Sequence, residues 1–66
     1  MHERLTAAQR IVKRHGGVHN TGKRFDRASG LVKEAAEKLA DALRDANYQV
    51  RRVFIAKDGK HEVIYA

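Results

Sequence analysis

Apolar residues recur every three to four positions through the first two thirds of this chain and every two positions in the last third. That change of period predicts two helices followed by a β-hairpin, an α-α-β-β arrangement of the α+β class. The first helix is expected over about residues 6–15. Thr6-Ala7-Ala8-Gln9 has the spacing of a capping box, in which the threonine hydroxyl accepts from the amide three residues on and the glutamine reaches back. On a helical wheel Leu5, Ala8, Ile11, Val12 and His15 share one side, while Arg10, Lys13 and Arg14 form a basic stripe on the other. Gly16 and Gly17 end the helix, because glycine enters the left-handed conformation without a Cβ clash.

Residues 16–26, GGVHNTGKRFD, have no period and contain glycine, asparagine and threonine, which marks a loop. A connection this long is either functional or mobile. Phe25 is its one large apolar residue and is expected to anchor it on the core. The second helix is expected over about residues 27–46, capped by Asp26 or Ser29. Its apolar face is Ala28, Leu31, Val32, Ala35, Ala36, Leu39, Ala42, Leu43 and Ala46, and Lys33/Glu37 and Glu34/Lys38 are paired at i,i+4 on the other. Gly30 weakens the first turn by about 1 kcal/mol relative to alanine. Asn47 suits the position after the helix end, and the many alanines predict close approach of a neighbouring element.

From Tyr48 the composition turns to β-formers, with an Asp58-Gly59 pair between the two runs, a hairpin over about 48–66. A two-residue turn there pairs Phe54 with Val63 and Arg52 with Tyr65. Tyr48, Val50, Phe54, Ala56, Val63 and Tyr65 then face the core, and Val53, Ile55 and Ile64 lie among Arg51, Lys57, Lys60 and Glu62 on the opposite side. A glycine-bulged turn shifts this register by one. Both faces hold apolar groups and a lone ribbon has two edges, so one face and an edge are left for a partner, and a homodimer through the hairpin is one expectation.

Composition narrows the class. The 66 residues make one domain with a thin core. There is no cysteine, hence no disulfide, thiolate ligand or thiol nucleophile, and a reducing, cytoplasmic location fits. No run has signal-peptide character or approaches the roughly 18 apolar residues of a membrane span, so no membrane partner is expected. The formal charge is +6. Residues 1–27 carry seven basic and two acidic side chains, residues 28–47 three and four, and residues 48–66 four and two. The positive field therefore belongs to the first helix and its loop, with a smaller share on the hairpin, and its natural partner is a polyanion.

The motifs with chemical content are few. Gly17-Val18-His19-Asn20-Thr21-Gly22-Lys23-Arg24 has the glycine and lysine spacing of a P-loop, but Arg24 stands where a hydroxyl should hold magnesium, and no strand is predicted before it. What survives is a phosphate cradle, glycine-rich amides beside Lys23, Arg24 and Arg27 near a helix start. His15 and His19 are four apart, yet two glycines separate them and no cysteine or carboxylate completes a tetrahedral set even with His2 and His61, so no metal and no cofactor is expected. Ser29 is the only serine and no carboxylate pair stands apart from the salt-bridging helix face, so the chain reads as no enzyme.

What remains is a basic constellation: Arg10, Lys13 and Arg14, then Lys23, Arg24 and Arg27, then Arg51, Arg52, Lys57 and Lys60. Lysine and arginine at this density neutralise phosphates and release counterions. A helix followed by a basic hairpin is similar in outline to winged-helix DNA-binding domains, which have three helices where this chain predicts two; no residue role is carried over. The expected function is therefore a small nucleic-acid-binding protein, for DNA or RNA, acting mainly through phosphate-backbone contacts. The alternative is a small accessory or inhibitory protein, of the kind phages and mobile elements encode, that docks on an acidic protein surface or self-associates.

Overall fold

The computed structural model describes residues 6–66; Leu5 and His2, each given a place in the sequence reading, lie outside them. The chain runs α1 (Ala7–Arg14), β1 (Val18–Asn20), β2 (Asp26–Leu31), α2 (Lys33–Asp45), β3 (Val50–Ile55), β4 (Lys60–Tyr65). The class is α+β as expected, but the order is α-β-β-α-β-β. The four strands form one antiparallel sheet in the order β1-β2-β4-β3. With helices interleaved between two hairpins, the winged-helix outline does not apply.

Both helices pack on the same face of the sheet. Ala8 and Val12 of α1, Ala36, Leu39, Ala40 and Leu43 of α2, and Ala28, Leu31, Val63 and Tyr65 of the strands form a single buried cluster. The alanines of α2 do what their number predicted, letting its backbone lie close to the sheet. The helix ends follow local chemistry. Thr6 and Gln9 form the capping box in both directions. At the other end of α1 the Gly16 amide donates to the Lys13 carbonyl and the Gly17 amide to the Val12 carbonyl, a Schellman motif with Gly16 at φ +79°. Asn47 and Tyr48 close α2 in the same way onto Arg44 and Leu43, with Asn47 at φ +71°. Gly17 is also where α1 folds back over the sheet, since a Cβ there would meet Val12 and Leu31 side-chain atoms at 3.2 Å.

Three expectations are corrected. Residues 16–26 are not one loop: β1 lies within them. The second helix starts at Lys33, not near 27, and neither Asp26 nor Ser29 caps it; its N-cap is Val32, with no side-chain cap bond. Residues 26–31 are instead the strand β2, paired on one side with β1 and on the other with β4. The cause of the misreading is a β-bulge. Ala28 pairs with Val63 and Leu31 with His61, so three steps along β2 match two along β4. Gly30, at φ +73°, absorbs the extra residue. The bulge returns Leu31 to the side of Ala28, and two buried residues three apart imitate a helical period.

The third correction is the register of the C-terminal hairpin. Phe54 pairs with His61, Arg52 with Val63 and Val50 with Tyr65, two residues away from the expected pairing. Ala56–Gly59 form a four-residue turn, in which the Asp58 carboxylate accepts from the Lys60 amide and the Gly59 amide donates to the Ile55 carbonyl. The Asp58 side chain stabilises this wider turn in place of a two-residue one. A slip of two leaves the side chains within the strands on their expected faces, because the side-chain period of a strand is two, while Ala56 and Lys57 move into the turn. Phe54 is nevertheless 58% exposed, for it lies near the end of β3; its ring is 5.0 Å from that of His61.

Candidate functional site

The sheet has a covered face and an open one, and strand register assigns residues to each. Asn20, Arg27, Ile64 and Arg51 stand in one row across the four strands, from β1 to β3, on the side opposite the buried Ala28, Val63 and Tyr65. Two strand spacings separate Arg27 from Arg51, about 10 Å. Val18, Ser29, Glu62 and Val53 follow on the same face, and Lys60 and Ile55 end it. Asn20 Nδ2 donates to Ser29 Oγ at 3.1 Å, and Arg27 lies 3.9 Å from the Glu62 carboxylate.

At the end of the sheet where β2 and β3 begin, an open groove of about 480 Å³ is lined by Arg24, Phe25, Gln49, Arg51 and Ile64 among others. Phe25 is 40% exposed beside it and does not anchor the core. As the residue before β2, it falls on the side of Arg27 by the alternation of the strand. No reading of the residues as a helix start could have seen this; a strand at 26–31 would have paired Phe25 with Arg27 at once.

All ten cations singled out from the sequence are exposed. Among the described residues, eight have no carboxylate within 4 Å; the exceptions are Arg27 and Arg52, the latter 3.5 Å from Glu37 of α2. They do not form one surface. Arg10, Lys13 and Arg14 belong to the helix layer. Arg52 stands on the covered face at its margin. Lys57 is in the β3–β4 turn and Lys60 beside it, at the end of the sheet away from the groove. Arg24, Arg27 and Arg51 meet around the groove and its adjoining row, with Lys23 next to Arg24 in the β1–β2 turn.

The phosphate-cradle reading of that turn is overturned. It leads into a strand, so no helix dipole stands behind it, and the Gly22 amide already donates to Asp26 Oδ1 at 3.2 Å. Gly22 is required for another reason: a Cβ there would collide with the Phe25 carbonyl oxygen. Asp26 belongs to a chain of hydrogen bonds that the sequence reading missed. Gln9, its oxygen taken by the Thr6 amide, approaches His19 Nδ1 through Nε2 at 3.3 Å, and His19 Nε2 lies 3.4 Å from Asp26 Oδ2. A neutral imidazole protonated on Nε2 satisfies both contacts, accepting from Gln9 and donating to Asp26. The chain ties the start of α1 to both strands of the first hairpin. His15 closes α1, its Nδ1 donating to the Ile11 carbonyl at 2.8 Å.

Tyr65 lies beneath this network, its ring 6.1 Å from that of His19 and 6.2 Å from that of Tyr48. It is 2% exposed, and its hydroxyl has no hydrogen-bond partner among the described residues. Burial, reinforced by the Asp26 charge and then by Tyr48, pushes its pKa up to about 12. Among the described residues no three histidine or acidic side chains gather as a metal-ligand set, and no helix is long and apolar enough to cross a membrane. No family model, curated protein or solved structure matches this chain.

Proposed function

We propose that this protein binds nucleic acid, as a binding module and not as an enzyme, through phosphate contacts made on the open face of its sheet. The observation that carries the reading is the placement of Arg27 and Arg51 in one exposed row on a face that neither α1 nor α2 covers, with Arg24 lining the groove beside Arg51. Lys23 extends this field into the turn, and Lys60 continues it along the face. Arginines held by a rigid sheet at fixed spacing suit phosphate oxygens, which they can bond in pairs. The stripe of Arg10, Lys13 and Arg14 is a second, separate basic surface on the helix layer; it adds long-range attraction.

The test is fluorescence anisotropy with labelled duplex DNA, single-stranded DNA and RNA, at low and near-physiological salt. Arg27→Glu with Arg51→Glu is expected to reduce affinity sharply and to flatten the dependence of binding on salt by roughly 1.5 in the log–log slope, the share of two phosphate contacts. Arg10→Glu with Arg14→Glu is expected to cost less. Failure of the wild-type protein to bind any of the three near physiological salt would overturn the reading.

One observation favours a second reading. Val18, 61% exposed, shares the open face with Val53, Ile55 and Ile64, and among the described residues β3 is a six-residue edge strand with one side unpaired. An acidic protein surface laid on that face, or a second copy paired along β3, would use both features. Light scattering across a concentration series separates these: a dimer that binds no nucleic acid supports the second reading over the first.

A further inference from the structure

The groove where β2 and β3 begin differs from the rest of the open face in having an aromatic wall. We infer that this groove receives an unpaired base of a single-stranded nucleic acid, stacked on Phe25, while Arg24, Arg27 and Arg51 hold the flanking phosphates. The inference rests on the nucleic-acid reading above and narrows its substrate class. Phe25 is a large apolar ring left 40% exposed in a groove that it lines together with Arg24 and Arg51, an arrangement that core packing does not require.

The chemistry discriminates between forms. In a duplex the bases are stacked on each other and their faces are not available; sequence is read by an element that enters a groove about 12 Å wide. The open face presents a four-stranded sheet with a hollow at its end, broader than the single helix or two-stranded ribbon that such a groove admits. A single strand, by contrast, has free π-faces, and an aromatic ring beside cations is the combination that such strands recognise with little regard to sequence. The arginines fit the same occupant: Arg27 and Arg51 are about 10 Å apart across Ile64, and Arg24 borders the groove with Phe25. The contact therefore follows the backbone with the arginines and takes a base with the ring.

The chain has no tryptophan, so Phe25→Trp installs a single indole at the site. Wild type, Phe25→Ala and Phe25→Trp would be titrated with a thymidine homo-oligomer, a uridine homo-oligomer and a duplex, near physiological salt, after circular dichroism has compared their folds. Wild type is expected to prefer the single strands. Phe25→Ala should lose about tenfold in affinity for them, with duplex binding unchanged, and Phe25→Trp should keep the affinity and show quenched indole emission on binding. If the single strands bind Phe25→Ala as well as wild type, if saturation leaves the indole emission unaltered, or if duplex is preferred, base stacking at Phe25 is refuted and the broader nucleic-acid reading stands. If wild type binds none of the three, both fall together. Should Phe25→Ala not fold, the emission of Phe25→Trp decides the question alone.

Discussion

The two faces of the sheet are built by the same strands, residue by alternate residue, and meet opposite demands. On the covered face Ala28, Leu31, Val63 and Tyr65 are closed over by α1 and α2, and the cations near it are at its margin, Arg52 against Glu37. On the open face Arg27, Arg51 and Lys60 stand among Val18, Val53, Ile55 and Ile64, with Glu62 the carboxylate beside Arg27. A surface that served only solubility would not need four branched aliphatics between its charges. The difference teaches that stability and the proposed binding are separable in this molecule, since the core and the proposed contacts use side chains pointing away from each other.

That separation can be broken most forcefully from the covered side. Leu39→Ala leaves a cavity under the fully buried centre of α2, and urea denaturation should show a loss of about 2–5 kcal/mol, enough to unfold a chain this small. The next largest effect is alkaline. Tyr65 loses its proton near the ordinary tyrosine value when unfolded but only near pH 12 when folded. The unfolded state therefore releases the proton first, and stability present below about pH 10 is lost as pH rises toward 12, to a total of about 2–3 kcal/mol. Tyr65→Phe should remove that component from a pH series of denaturation curves, and at neutral pH it should stabilise the fold by about 1 kcal/mol, because a buried hydroxyl without a partner is deleted.

A smaller effect is expected at the seam between helix and hairpin. Gln9→Ala removes both the return half of the capping box and the contact to His19, and should cost about 1 kcal/mol in thermal or urea unfolding. The smallest belongs to the open face: Arg27→Glu with Arg51→Glu should change unfolding free energy by no more than about 0.5 kcal/mol while weakening nucleic-acid binding. A large destabilisation there would show that the open face is part of the stability of the fold, and the comparison would fail.

Much of the local structure was legible from short-range chemistry. The capping box at Thr6 and Gln9, the ends of both helices at Gly16 and Asn47, and the division of the last hairpin into two faces each depend on residues within a few positions of one another. The open-face side chains Arg51, Val53, Ile55, Lys60 and Ile64 were placed correctly even though the hairpin register was two residues off, because that slip preserves parity. The exposure of the ten cations was also readable; their distribution over separate surfaces was not.

What the sequence by itself determined is the set of elements whose hydrogen bonds close locally: the body of each helix, the capping box of α1, the C-terminal ends of both helices, and a C-terminal ribbon with one apolar and one mixed face. Only the tertiary structure decided the fate of residues 18–31. Ala28 and Leu31 satisfy a helical period on paper, and Gly30 and Ser29 argue against it only weakly. The choice was made by β4, whose unpaired edge gains a ladder of backbone hydrogen bonds if these residues are a strand and none if they are a helix. A strand bonds to residues far away in the chain, and so its existence is a property of the partner as much as of its own sequence. The same long-range pairing carried Phe25 and Arg27 to the side of Arg51, and with them the candidate site.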